Sequence, residues 1–128
     1  MLSSKYKYFI ADLGLKHAVM GYRPEDISGH MENILYSDLR CRGYTVWAGE
    51  NNGKEIDLVG ERFGEKVYVQ SAFCLSSEEV IKKEFGNLKG IKDNHPKYVV
   101  TMDNELFHSD VDGIISCGLL DFLKKENL

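Results

Sequence analysis

The order of patterns along this chain predicts an α/β fold, a mixed β-sheet flanked by helices. Three observations carry that expectation. Two alternating segments, Ile56 to Phe63 and Val67 to Phe73, meet across Gly64 and read as an antiparallel hairpin. A helix-periodic segment, about Glu78 to Ile91, follows them. Lys97 to Met102 is then nearly all apolar, as in a strand buried beside a parallel neighbour. A hairpin, a helical crossover and a buried strand make one sheet whose faces need helices to cover them.

The elements follow in order. Residues 1–27 read as an extended lead-in and a short helix, with Leu13, Leu15, Ala18, Val19 and Met20 apolar before a stop at Gly21. Arg23-Pro24-Glu25-Asp26 is a turn or linker, and residues 28–128 form the α/β domain. Ser28 is an N-cap candidate for a helix from about Gly29 to Arg42, which Gly43 ends. Met31, Ile34, Leu35 and Leu39 form its apolar stripe, which Asp38 and Arg42 interrupt. Tyr44 to Ala48 is a strand and Asn51-Asn52-Gly53 a turn. In the first hairpin strand, alternation puts Ile56 and Leu58 on one face and Glu55, Asp57 and Val59 on the other. In its partner, Tyr68, Gln70 and Ala72 share a face, opposite Val67, Val69 and Ser71. Ser76 or Ser77 can cap the second long helix, whose apolar side is Val80, Ile81, Phe85 and Leu88. Asn94-His95-Pro96 breaks the chain before the buried strand, Ile114 to Ser116 is a further short strand, and Leu119 to Leu123 begins a closing helix.

Composition narrows the function. A chain of 128 residues is long enough for one domain with its own core. No apolar run approaches the ~20 residues of a membrane span, and Met1 to Tyr8 lacks the apolar core of a signal peptide, so the expectation is a cytoplasmic protein with no membrane partner. Cys41, Cys74 and Cys117 are scattered, which points to buried thiols rather than to zinc or disulfides. His17, His30, His95 and His108 show no ligand spacing. The net charge of −4 argues against a protein that coats DNA through phosphate neutralisation, although a local basic face is compatible with it.

The hairpin also carries chemistry. Lys54-Glu55-Ile56-Asp57-Leu58-Val59 and Tyr68-Val69-Gln70-Ser71-Ala72 place an acid and an amide on neighbouring strands, and Glu32 sits at the edge of the first long helix's apolar stripe, between Leu39 and Tyr36. This arrangement resembles the site of PD-(D/E)XK nucleases, which take one carboxylate from a helix, an Asp from one strand and Glu/Gln-x-Lys from the next. The resemblance implies a restriction-endonuclease-like fold and a magnesium site built from Glu32, Asp57, Gln70 and the Ser71 carbonyl. It also implies catalytic roles for Glu32, Asp57 and Gln70. Two departures weaken that chemistry. Gln70 brings an oxygen without a charge, and Ala72 stands where the lysine belongs. Lys54 lies on the face opposite Asp57, and Lys66 is roughly 13 Å along the strand from Gln70, so neither substitutes.

A wider resemblance runs from Tyr8 through Leu123. Ala11-Asp12-Leu13-Gly14-Leu15, Gly21-Tyr22-Arg23-Pro24-Glu25-Asp26, Met31-Glu32-Asn33-Ile34-Leu35-Tyr36, Arg42-Gly43-Tyr44, the two hairpin motifs, Ile91-Lys92-Asp93-Asn94-His95-Pro96-Lys97-Tyr98 and Leu120-Asp121-Phe122-Leu123 occur in order. Together they resemble the C-terminal domain, of unknown function, of a large group of prokaryotic AAA+-like ATPases. The resemblance implies an ATPase module as partner, to which residues 1–27 would link. The chain has no P-loop of its own, since Gly49 to Glu55 has the wrong spacing and no Ser or Thr for magnesium.

The favoured expectation is therefore a degenerate, non-cleaving nuclease-like domain that binds DNA or regulates a partner ATPase, with at most weak magnesium binding. Its alternatives are a magnesium-dependent DNA endonuclease and a protein-docking domain. Lys82, Lys83, Lys89 and Lys92, on or beside one helical face, are the candidate nucleic-acid contacts.

Overall fold

The computed structural model describes residues 3–5, 27–72, 78–102 and 110–128. In chain order they form β1 (Ser3–Lys5), α1 (Ile27–Cys41), β2 (Thr45–Asn51), β3 (Lys54–Arg62), β4 (Glu65–Ala72), α2 (Glu78–Lys89), β5 (Lys97–Thr101), β6 (Asp110–Val111), β7 (Ile114–Gly118) and α3 (Leu119–Lys124). The strands make one seven-stranded sheet in the order β1-β2-β3-β4-β5-β7-β6. β4, β5 and β7 run parallel and the other pairings are antiparallel, so the sheet is mixed. Part of the lead-in thus joins the sheet through β1. The short helix expected over residues 13–20 lies outside the described residues, as do the Ser76 and Ser77 caps.

Three hairpins close on a residue and a glycine that both have positive φ: Asn52-Gly53, Phe63-Gly64 and Asp112-Gly113. Such two-residue turns match the right-handed twist of the strands they join, which is why glycine recurs in their second position.

The sheet is covered on both faces. Met31, Leu35 and Leu39 of α1 and Leu119 and Phe122 of α3 pack on Leu58, Val67, Val69, Tyr98 and Val100. Phe85 and Leu88 of α2 pack on Ile56, Val59, Tyr68, Val99 and Ile114 on the other face. The interrupted stripe of α1 now has a reason. Arg42 pairs with Asp38 at 2.7 Å, and its Nη2 donates to the carbonyls of Phe122 (3.2 Å) and Leu123 (3.4 Å) at the end of α3. A cation there meets the carbonyls at a helix C-terminus, where Phe122 also accepts the Lys125 N–H at 3.2 Å.

Two sequence expectations are corrected. Ile56 and Leu58 lie on opposite faces, because Ile56 joins Val59 in the α2 cluster and Leu58 joins the α1 cluster. The cause is a bulge. Trp47 pairs with Val59 and Gly49 with Ile56, so Asp57 and Leu58 together oppose Ala48. Gly49 belongs to this distortion: a Cβ there would stand 2.8 Å from the Val59 Cγ2. The second correction concerns the thiols. Cys117 is buried, and burial raises its pKa to about 11, but Cys41 closes α1 on its exposed side.

Candidate functional site

The bulge lies where β3 and β4 part company. Their ladder runs from Arg62↔Glu65 to Leu58↔Val69 and stops one step before Asp57 and Gln70 would pair. Side chains take over from the backbone. The Asp57 N–H donates to Gln70 Oε1 at 2.6 Å, and the Ser71 N–H donates to Asp57 Oδ2 at 2.9 Å. The Ser71 hydroxyl donates to the same carboxylate oxygen at 3.2 Å. Gln70, only 2% exposed, turns its Nε2 to the Glu55 carbonyl and to Glu84 Oε2, both at 3.3 Å. Asn87 of α2 also donates to the Glu55 carbonyl, at 3.0 Å.

The structure therefore brings Asp57, Gln70 and Ser71 together, at the carboxyl end of β4 beside its parallel neighbour β5. Ligands of open α/β sheets bind at that end of the strands. A fourth residue, absent from the sequence expectation, completes the group. Glu84 on α2 is half-buried, and its carboxyl is pushed above the ordinary range, first by burial and then by Asp57. Lys83 opposes the shift, while Glu32 and Glu55 add to it. Glu32 from α1, Glu84 from α2, and Asp57 and Glu55 from β3 thus share one electrostatic neighbourhood. A helical signal for Glu84 existed, since it lies three residues after Ile81 and four before Leu88. Ile81 itself is 39% exposed, so the buried face is turned away from it, onto Phe85 and Leu88.

Among the described residues, no group of three or more His, Cys, Asp or Glu is placed to hold a metal ion. Two of the oxygens expected for magnesium already accept hydrogen bonds: Gln70 Oε1 from a backbone N–H and Asp57 Oδ2 from Ser71. Magnesium asks for a near-octahedral set of oxygens, and this arrangement does not fit it. What the site offers is a hydrogen-bonded knot rimmed by carboxylates.

The lysines divide. Lys82 and Lys83 are exposed in the first half of α2, beside Glu84. Lys89 lies at the far end of the helix and pairs with Asp112 at 3.0 Å, and Lys92 lines a separate cavity of about 390 Å³ with Asn51, Lys66, Tyr68 and Asp93.

An uncharacterized protein of Haemophilus influenzae is 34% identical over 122 residues, 95% of this chain but 30% of that protein. The chain therefore spans less than a third of the length of the curated relative it matches. No family model matches the chain, and no solved structure matches it. No helix among the described residues is long and apolar enough to cross a membrane.

Proposed function

We propose that this chain is a non-cleaving, nuclease-like module that binds DNA, or regulates an ATPase partner, beside the carboxyl ends of β4 and β5. One observation carries the reading. Asp57 and Gln70 are in contact across the hairpin, yet the amide oxygen of Gln70 is spent on the Asp57 backbone and Ala72 supplies no cation. Phosphodiester cleavage needs a firmly held cation and stabilisation of developing charge, and losing even ~3 kcal/mol of the latter costs more than a hundredfold in rate. The carboxylates of the knot would repel phosphate, so nucleic acid would approach along Lys82 and Lys83. The match to part of a longer Haemophilus protein is compatible with a module that works beside other domains, and an ATPase partner would then join through the lead-in that follows β1.

Two assays test this. Plasmid and single-stranded DNA incubated with magnesium or manganese should be cut no faster by the native chain than by Asp57→Ala. Asp57-dependent cutting would establish the endonuclease instead. Anisotropy of a labelled duplex should show binding that falls with salt and drops about tenfold in the Lys82→Glu/Lys83→Glu double variant. A duplex that does not bind at low salt would leave the protein-docking function.

A further inference from the structure

The nuclease pattern treats Gln70 as a carboxylate that was lost. Its surroundings assign it a different task. We infer that Gln70 is a splint in the sheet: its amide replaces a missing ladder peptide between Glu55 and Asp57, locks the Asp57 carboxylate onto Ser71, and so makes the knot indifferent to magnesium. This holds whether the module's partner is DNA or protein.

The bulge at Asp57 and Leu58 and the end of the β3–β4 ladder take Glu55 and Asp57 out of regular pairing with β4. The half-buried Asp57 N–H needs a partner, since an orphaned backbone group costs about as much as a lost hydrogen bond, while the carbonyl of the exposed Glu55 also accepts from Asn87 at 3.0 Å. The Gln70 side chain resupplies both kinds. Its Oε1 accepts the Asp57 N–H at 2.6 Å and its Nε2 donates to the Glu55 carbonyl at 3.3 Å. The exchange is reciprocal, because the Asp57 carboxylate accepts the Ser71 N–H of β4 at 2.9 Å. Each strand thus closes the other's gap with a side chain.

Only an amide fits this role. A carboxylate in place of Gln70 has no hydrogen for the Glu55 carbonyl, and it would face Glu84 Oε2, which now receives the Gln70 Nε2 at 3.3 Å. A lysine has no acceptor for the Asp57 N–H. The three partners also fix the orientation of the amide, since reversing it would set an oxygen against a carbonyl and a carboxylate and a nitrogen against an N–H. Gln70 is 2% exposed, so its own amide has no access to water in place of these partners.

The test is Gln70→Glu, with Gln70→Met as a variant that keeps the length and removes all three hydrogen bonds of the amide. Thermal unfolding of each is followed near pH ~8 and ~5, with and without millimolar magnesium chloride. The splint predicts that Gln70→Glu melts about 5–10 °C below the native chain at the higher pH, and that acidification narrows the gap as the crowded carboxyls take up protons. Gln70→Met should lose a similar amount at both pH values. Magnesium should move none of the three melting temperatures. A Gln70→Glu variant that melts with the native chain at the higher pH, or that gains several degrees from magnesium, would overturn the splint and restore Gln70 as a weakened ligand. Should neither variant fold, NMR of the native chain decides. Slow exchange of the Gln70 side-chain amide protons, unmoved by magnesium, is expected. Fast exchange, or shifts at Asp57 and Gln70 on adding magnesium, would refute the proposal.

Discussion

At the carboxyl end of β4, Glu32, Glu55, Asp57 and Glu84 crowd together, and burial with mutual repulsion raises the Glu84 carboxyl. At its amino end, acid and base are matched. Asp93 accepts from the Tyr68 hydroxyl at 2.7 Å, from Lys97 Nζ at 2.9 Å and from the His95 N–H at 3.0 Å. Lys97, 7% exposed, also donates to the carbonyls of Asp93 and His95, both at 3.0 Å. Tyr68, whose N–H donates to the Pro96 carbonyl, holds its phenol proton more tightly than usual, through burial and then the Asp93 bond. The loop Asp93-Asn94-His95-Pro96 is thereby nailed to the sheet. One end is a solved electrostatic problem. The other gathers four carboxylates around a bulge that side chains bridge, with the Glu84 carboxyl raised among them.

Breaking the matched end should have the largest effect. Lys97→Met removes an ammonium that has three acceptors and leaves Asp93 as a partly buried charge with one donor fewer. Removing one member of a buried pair costs about 3 kcal/mol, which in a chain of this size lowers the melting temperature by roughly 10 °C. Calorimetry would show it. A drop of only a degree or two would mean that the loop is held by Tyr68 alone.

The two ends should also respond to pH in opposite senses. Burial disfavours the Asp93 anion, but the hydrogen bonds from Tyr68, Lys97 and the His95 backbone outweigh it, so the carboxyl sits below its ordinary 3.8. A depressed acid contributes stability above that value and loses it as pH falls through the lower, folded one. Glu84 is raised above its ordinary 4.5, so the contribution of its proton is present below 4.5 and lost as pH rises through the folded value. Glu84→Gln keeps an acceptor for Gln70 and removes the charge. After discounting for its half-exposed setting, it should melt about 2–4 °C above the native chain near neutral pH, with the difference vanishing below pH ~4.5. An Asp93→Asn chain should instead approach the native one as pH falls below 3.8. Melting curves across pH that move both variants the same way would erase the contrast between the ends.

How much of this was legible follows from where the physics is local. The hairpin was readable because alternation and turn glycines are local rules, and its register set Asp57 opposite Gln70 to within one ladder step. The bulge was not, because one extra residue leaves no mark on composition. Its consequence, Ile56 with Val59 rather than with Leu58, reverses the expected faces. Gly49 was the available hint, since a strand glycine often marks a close approach. Glu84 and Lys97 were missed for a shared reason. Charged residues are assigned to solvent by default, and what buries these two is the packing of α2 and the return of the Asp93 loop. Asp38 and Arg42 are the converse case: charge visible in the stripe, but its purpose, the α3 carbonyls, is 80 residues away in sequence.

The smallest effect sharpens the comparison from within the matched end. Lys89 pairs with Asp112 at 3.0 Å, close to the 2.9 Å of Lys97 with Asp93, yet their side chains are 47% and 68% exposed against 9% and 30%. Both pairs line a cavity of about 520 Å³ with Ile91 and His95. Equal distance with unequal burial isolates solvent as the variable. An exposed pair gives up in side-chain entropy and screening most of what it gains by attraction. A double-mutant cycle with Lys89→Ala and Asp112→Ala should therefore return a coupling under about 0.5 kcal/mol that disappears in molar salt. The equivalent cycle at Lys97 and Asp93 should keep more of its coupling in the same salt, because the Lys97 side chain is only 9% exposed. Coupling of equal size in the two cycles would show that the loop's ion pair is no better protected than the surface one, and that Tyr68 and the backbone carbonyls, rather than exclusion of water, hold the Asp93 end of the sheet together.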